Sequence, residues 1–422
     1  MANVDKIFVY ENWRGVLPER IGILYIDSGK GKEIISFEYD ENWISDSACS
    51  FVFDPDLSLY KGRQYVPLNK PMFGVFADSC PDRWGRLLMK RREAVLAKKE
   101  NRKPRRLTDI DFLLGVYDET RMGALRFAVS EDGPFVANDE ELATPPWTTL
   151  RELEAASLSF EKNEDGMDEK WLRQLLAPGS SLGGARPKAS VVAPDGSLWI
   201  AKFPSRQDDV NVGAWEMVVH DLAVLCGLYV SEAKLENFSK MGSTFLTKRF
   251  DREGRQRIHF ASAMTLLGKT DGADAADGSG YLEIASFIRQ YGATPKKDLQ
   301  ELWRRIVFNM AVSNTDDHLR NHGFLLSGEG WTLSPVYDVN PNADGDVLSL
   351  NVDENNSLID FDLAVSASKL YEMPKKQAEE SVNEIKDIVG KNWKRLAKKY
   401  GLHRNEMERM SPAFDMTFKS TW

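Results

Sequence analysis

The sequence predicts a bilobal α+β enzyme whose first half is rich in strands and whose second half is mostly helical. Three observations carry this reading. The first 60 or so residues hold three β-branched and aromatic runs, at 7–10, 20–26 and 33–39, separated by Gly, Pro and Asp. Residues 190–192 and 198–203 flank Pro194-Asp195-Gly196-Ser197, a turn in which Pro presets φ and Gly accepts φ > 0. Beyond residue 252 the pattern becomes helical, with candidates at 281–291, 298–312 and several segments between 374 and 411.

The elements follow in order. Residues 27–32, DSGKGK, read as a turn between the second and third strands. From Pro81 the pattern changes, and Trp84, Leu87, Leu88 and Met89 begin an apolar helical stripe. It runs into the basic segment 90–106, which carries nine Lys and Arg residues. A helix is expected over 109–117, with Thr108 or Asp109 as its N-cap. Residues 161–170 read as an exposed acidic connector. After the 190–203 hairpin, a long helix runs from about 212 to 226 and is closed by Gly227.

Composition narrows the function classes. At 422 residues the chain is long enough for two or three domains. It is 42% hydrophobic and 28% charged, the balance of an ordinary globular protein. A net charge of −9 argues against nucleic-acid binding through overall basicity, which leaves segment 90–106 as the local basic patch. Cys49, Cys80 and Cys226 are scattered and fit a reducing compartment. The N-terminus lacks the basic start and apolar core of a signal peptide, and no run approaches a bilayer span. The expectation is a cytoplasmic protein without a membrane partner.

Chemistry concentrates in residues 313–321, SNTDDHLRN, between an apolar helical run and a strand-like one. The spacing Asp316-x-x-x-x-Asn321 matches the kinase catalytic loop, in which Asp orients a hydroxyl nucleophile and Asn binds Mg²⁺. In WTLSPVYDVNP, Asp338 follows an apolar strand, where a kinase places its second metal-binding acid. Mg²⁺ takes hard oxygen ligands and keeps water, so one carboxylate, one amide oxygen and two phosphates suffice. Residues 179–188, GSSLGGARPK, form a small glycine-rich loop without the Walker A spacing. Lys202 lies on an otherwise apolar strand and needs an anionic partner; Glu216 on the following helix is one candidate. Lys188 is the rival phosphate lysine. Asp317 reads as structural rather than catalytic, and His318 as a hydrogen-bonding support.

Taken together, SSLGGARPK, AKFP, SNTDDHLRN and PVYDVNP resemble, in order and spacing, the HipA family of serine/threonine kinase toxins. Residues 81–91, PDRWGRLLMKR, are similar to that family's N-terminal domain. The resemblance implies a bilobal kinase-like fold related to lipid kinases. It divides the chain into an N-terminal domain (1–127), the rest of the N-lobe with the glycine-rich nucleotide loop (128–255) and a helical catalytic lobe (256–422). It makes Asp316 the catalytic base, Asn321 and Asp338 the Mg²⁺ ligands and Lys202 the ATP-phosphate lysine. Ser181, Gly183, Gly184, Ala185 and Lys188 become the ATP-binding loop. Ser181, or its neighbour Ser180, becomes an autophosphorylation site. Arg186-Pro187 depart from the family pattern.

By the same resemblance the cofactors are ATP and Mg²⁺. The partners are a protein substrate such as an aminoacyl-tRNA synthetase and a small HipB-like DNA-binding antitoxin. DNA would be met only indirectly or through 90–106. Two other readings stand beside the toxin kinase: a small-molecule or lipid kinase of the same fold, and a DNA-complex co-repressor without kinase activity.

Overall fold

The computed structural model describes residues 5–15, 17–29, 32–46, 51–137, 144–162, 175, 184–417 and 419. The chain divides into two compact units. The first comprises Met1–Ala201 with Arg249–Ala261, the second Lys202–Lys248 with Ser262–Trp422.

The first unit is built on a five-stranded antiparallel sheet. Its order across the sheet is Gln64–Tyr65, Lys32–Tyr39, Glu19–Gly29, Lys6–Glu11 and Leu125–Ala128. Strand Lys6–Glu11 alternates between buried and more exposed positions, so Ile7 and Val9 point into a core with Leu24, Phe37, Phe76 and Phe127. The turn expected over 27–32 is narrower than that. The ladder continues through Asp27↔Ile34 and Ser28↔Glu33 to Gly29↔Lys32, because cross-strand pairing holds beyond the last buried residue.

Helix Arg83–Lys99 begins at Asp82, whose side chain accepts from the Gly85 N–H, and takes in most of the basic segment. Arg102 then pairs with Glu93 and Glu100, and Arg105 with Glu93 and Asp111, so part of that positive charge is satisfied internally. Helix Asp109–Leu114 starts in a capping box made by Thr108 and Asp111. It stops before the expected residue 117 because Gly115, a poor helix former, caps it. A further helix, Leu150–Glu161, buries Leu150, Leu153 and Ala156. Strands Lys188–Val192 and Leu198–Lys202 form the hairpin read from the sequence, with Gly196 at φ +83 in its turn.

Segment 249–261 joins this unit through buried charge. Arg249 donates to the carbonyls of Thr120 and Arg121 and pairs with Asp251. Asp251 also accepts from the Gly123 N–H, and Arg257 pairs with Asp118.

The second unit is helical around Pro295–Val312, in which Leu299, Leu302, Trp303, Ile306, Val307 and Met310 are fully buried. Helices Tyr281–Tyr291, Phe361–Ala367 and Lys375–Lys399 pack against it, and the Trp303 indole N–H donates to the Ala364 carbonyl at 2.9 Å. Helix Val212–Leu225 packs on Lys375–Lys399, and strands Ala233–Glu236 and Thr244–Lys248 form a hairpin beside it. A second hairpin, Gly323–Ser327 with Gly330–Leu333, follows the central helix. Among the described residues no helix is long and apolar enough to cross a membrane.

Candidate active site

The second unit brings three of the sequence-derived residues into direct contact. Lys202 closes strand Leu198–Lys202 and is almost wholly buried, so its ammonium needs charge compensation. Its Nζ donates to Glu216 Oε1 at 2.5 Å and to Asp338 Oδ1 at 2.6 Å. Burial works to lower the Lys202 pKa, but the Asp338 and Glu216 carboxylates outweigh it and hold the amine well above its usual range.

Glu216 is carried by the second turn of helix Val212–Leu225. Asn211 caps that helix: its side-chain oxygen accepts from the N–H groups of Ala214 and Ser243, and its amide donates to Ser243 Oγ. Gly213 allows the close approach, because a Cβ there would lie 2.1 Å from the Ser243 carbonyl oxygen. Asp338 sits at φ +58, in the left-handed region that aspartate tolerates better than most residues. Such a conformation persists only where the surroundings enforce it. Next to it, the Tyr337 hydroxyl donates to the Arg320 carbonyl at 2.6 Å and ties this segment to the loop that carries Asp316.

That loop leaves helix Pro295–Val312 through Ser313, a left-handed C-cap at φ +49. Asp317 is its internal anchor. A single buried oxygen, Oδ2, accepts from the Tyr281 hydroxyl at 2.6 Å, Asn309 Nδ2 at 2.7 Å and the His322 ring at 2.9 Å. Burial opposes ionisation of Asp317, but His322 and these hydrogen bonds hold its pKa below the usual value. Asn309 Oδ1 accepts from Asn314, and the Ser349 hydroxyl donates to the Thr315 carbonyl at 2.6 Å.

Asp316 stands exposed on this clamped loop, its carbonyl accepting from Asn321 Nδ2 at 2.9 Å. With its amide nitrogen so engaged, Asn321 is left with Oδ1 as an acceptor. Asn321 Oδ1 and the partly exposed Asp338 carboxylate are hard oxygen donors of the kind Mg²⁺ takes, with phosphate and water completing the shell. Among the described residues no cluster of three or more His, Cys, Asp or Glu would hold a metal unaided.

Other expected residues lie elsewhere. Ser180, Ser181 and Gly183 fall outside the described residues. Gly184 and Ala185 are exposed at the start of the first unit's hairpin. Lys188 is buried there, paired with Asp82 at 2.8 Å and donating to the Gly184 carbonyl. The His318 ring Nδ1 is buried with no hydrogen-bond partner, while the His322 ring bonds the Asp317 carboxylate. His322, Tyr281, Asn309 and Asn314 were not singled out by the sequence reading. The available signal was Asn309, a polar residue inside the apolar run 302–312.

A strand-rich first unit, a helical second unit and a lysine held by two carboxylates beside a clamped Asp-x-x-x-x-Asn loop define an α+β protein of kinase-like fold. A profile of the HipA-like C-terminal domain matches residues 180–393, just over half of the chain. The chain belongs to the HipA family. HipA from Shewanella oneidensis MR-1, solved in a toxin–antitoxin complex with HipB and operator DNA, has the same fold. It superposes with a TM-score of 0.66 at 16% identity, covering 96% of this chain and 95% of that one. "Putative kinase Y4mE" of Sinorhizobium fredii is 30% identical over 183 residues, which is 38% of this chain and 41% of the relative. A "Putative kinase" of Haemophilus influenzae is 28% identical over 179 residues, or 38% of this chain and 52% of the relative. The chain thus spans about half or less of the length of these curated relatives.

Proposed function

We propose that the protein is an ATP- and Mg²⁺-dependent serine/threonine protein kinase and the toxin of a toxin–antitoxin pair. The observation that carries this reading is Lys202 held between Glu216 and Asp338. The Lys202 ammonium brings two carboxylates together at the end of its strand. That arrangement suits the arrival of a divalent cation with nucleotide phosphates, to which a strand lysine can then turn. The kinase names of the relatives and the fold shared with HipA support it.

In this reading Asp316 accepts the proton of a serine or threonine hydroxyl. The hydroxyl oxygen bonds to the γ-phosphorus, and the bond from that phosphorus to the bridging oxygen breaks to release ADP. The hydrogen bonds on Asp317 keep Asp316 in place at the moment of transfer. Lys202 pairs with the phosphates and Glu216 orients it. Asn321 and Asp338 would hold Mg²⁺, which neutralises phosphate charge when bound. Glycine-rich residues 179–188 would offer backbone N–H groups to the phosphates, with Ser181 or Ser180 as the self-modified residue. A HipB-like DNA-binding antitoxin is the partner this assignment calls for, and an aminoacyl-tRNA synthetase exemplifies the protein substrate.

The test is a reaction with γ-labelled ATP on wild type, Asp316→Ala and Ser181→Ala, followed by mass spectrometry. The expected result is label on Ser181 or Ser180 in wild type and none in Asp316→Ala. Absence of label in every protein, together with no ATP binding, would contradict the kinase reading and favour a binding module.

A further inference from the structure

Beside the Asp316 loop lies a groove that the site described above does not use. It belongs wholly to the second unit and has a volume of about 580 Å³. Residues 274–276, segment 345–349 and Thr315, the residue before Asp316, line it. The lining is fixed by its own bonds. The Ala275 N–H donates to the Ser349 carbonyl at 2.8 Å, and the Ser349 hydroxyl donates to the Thr315 carbonyl at 2.6 Å. Gly345 approaches Thr315 so closely that a Cβ there would come within 2.4 Å of Thr315 Cγ2.

Segment 345–349 has a backbone edge with open groups. The Leu348 N–H donates to the Ser357 carbonyl at 2.7 Å, and the Ile359 N–H to the Asp346 carbonyl at 3.2 Å. These bonds flank Val347 and Leu358, an antiparallel pair of the kind that shares no hydrogen bond of its own. The Val347 N–H and C=O therefore point away from Leu358, and among the described residues they have no hydrogen-bond partner. The Ser349 carbonyl, two residues on, faces the same way and meets Ala275. Val347 thus presents one donor and one acceptor on the edge that borders the groove.

The side chains give the groove a sign. Asp274 and Asp346 line it, and among the described residues no Lys or Arg does. The Asp346 carboxylate has no hydrogen-bond or ion-pair partner among the described residues, whereas Asp274 accepts from the Ala276 N–H at 2.8 Å. Asn351, only 3% exposed, also lines the groove. Its amide nitrogen donates to the Ala275 and Ser279 carbonyls, which leaves Oδ1 as a further acceptor.

We propose that this groove docks an extended segment of the protein substrate that carries a lysine or arginine close to the phosphorylated serine or threonine. Val347 exchanges backbone hydrogen bonds with that segment, as an added strand does. Asp346 reads its cationic side chain, with Asp274 and Asn351 Oδ1 as further acceptors. Thr315 places the groove next to the residue that takes the hydroxyl proton in the kinase reading. The inference names the substrate class for that reading and rests on it.

The experiment measures peptide binding by fluorescence anisotropy in the absence of ATP. The probes are a short fluorescein-labelled peptide with one serine flanked by arginines, a twin with glutamates in place of the arginines, and the arginine peptide N-methylated along its backbone. The proteins are wild type, Asp346→Lys and Asp346→Asn, each checked for melting temperature. Wild type should bind the arginine peptide about tenfold more tightly than the glutamate peptide, and N-methylation should weaken binding about tenfold. Asp346→Lys should raise Kd for the arginine peptide about tenfold and abolish the preference for it. If Asp346→Lys does not fold, Asp346→Asn, which removes the charge and keeps the shape, should still raise that Kd about threefold.

Equal binding of the arginine and glutamate peptides by wild type would overturn the inference, as would an arginine preference that survives in the folded Asp346 variants. Unchanged binding of the N-methylated peptide would overturn the strand-like docking on Val347. Transfer from labelled ATP to the arginine peptide is then measured with wild type. An arginine peptide bound through Asp346 but never phosphorylated would contradict the kinase reading and leave the docking groove standing, so the two failures are distinguishable.

Discussion

At the scale of single residues, the functional side chains are separated by what surrounds them. Asp316 and Asp317 are neighbours in sequence, but Asp317 is sealed under three hydrogen bonds while Asp316 faces solvent. The pair thus consists of one anchored carboxylate and one exposed one. Tyr281→Phe removes one of the three donors and leaves the ring, so it should lower unfolding stability by about 1–2 kcal/mol. Urea denaturation would show this as a lower midpoint, and an unchanged midpoint would mean that Asn309 and His322 suffice. The sequence singled out Asp316, Asn321, Asp338 and Lys202 by local spacing and by a cation on an apolar strand, and the structure brings Lys202 and Asp338 into contact. It did not reveal His322 or Tyr281, whose roles come from tertiary proximity: Tyr281 lies 36 positions from the carboxylate it serves.

At the scale of elements, positions depend on a few close approaches. Helix Val212–Leu225 carries Glu216 to Lys202 only because Gly213 lets its first turn lie against the Ser243 backbone. Gly213→Ala would force the helix and strand Thr244–Lys248 apart. A loss of about 1–3 kcal/mol is expected. Phosphoryl-transfer activity should fall further than stability does, because Glu216 moves with the helix. Paired melting and activity measurements would check this, and retention of full activity would show that Glu216 does not orient Lys202.

The long helices at 281–291, 298–312 and 212–226 were readable from apolar periodicity and caps. Helix Leu150–Glu161 was missed, although Leu150, Leu153 and Ala156 are spaced for one buried face, because that stripe is short and set among charged residues. Helix Asp109–Leu114 is shorter than its sequence pattern, which continues past Gly115, where the helix ends.

At the scale of the whole molecule, each unit is completed by a distant part of the chain. The first recruits 249–261 through Arg249, Asp251 and Arg257, and this non-local joining carries no sequence signature. The second is closed by its C-terminal segment. There Lys419 is buried and donates to the carbonyls of Ala413 and of Ala311, the latter just before the Asp316 loop. Burial pushes the Lys419 amine down to about 7, against the opposing charge of Asp415. Its folded pKa is therefore below its unfolded one, and between about 7 and 10.5 the unfolded chain binds more protons. Lys419 makes stability rise with pH across that window. Compared with Lys419→Met by urea denaturation at pH 7 and pH 9.5, wild type should gain more stability at the higher pH. Equal gains in the two proteins would place the amine outside its buried position.

The central claim is that Lys202, Glu216 and Asp338 form the phosphate and metal end of a phosphoryl-transfer site. The most direct measurement is ATP binding by wild type, Lys202→Met and Asp338→Asn, titrated with and without Mg²⁺. Wild-type affinity should strengthen with Mg²⁺. Lys202→Met should weaken binding under both conditions, and Asp338→Asn should remove most of the Mg²⁺ enhancement. Binding that is indifferent to Mg²⁺ and unchanged by both substitutions would contradict the claim.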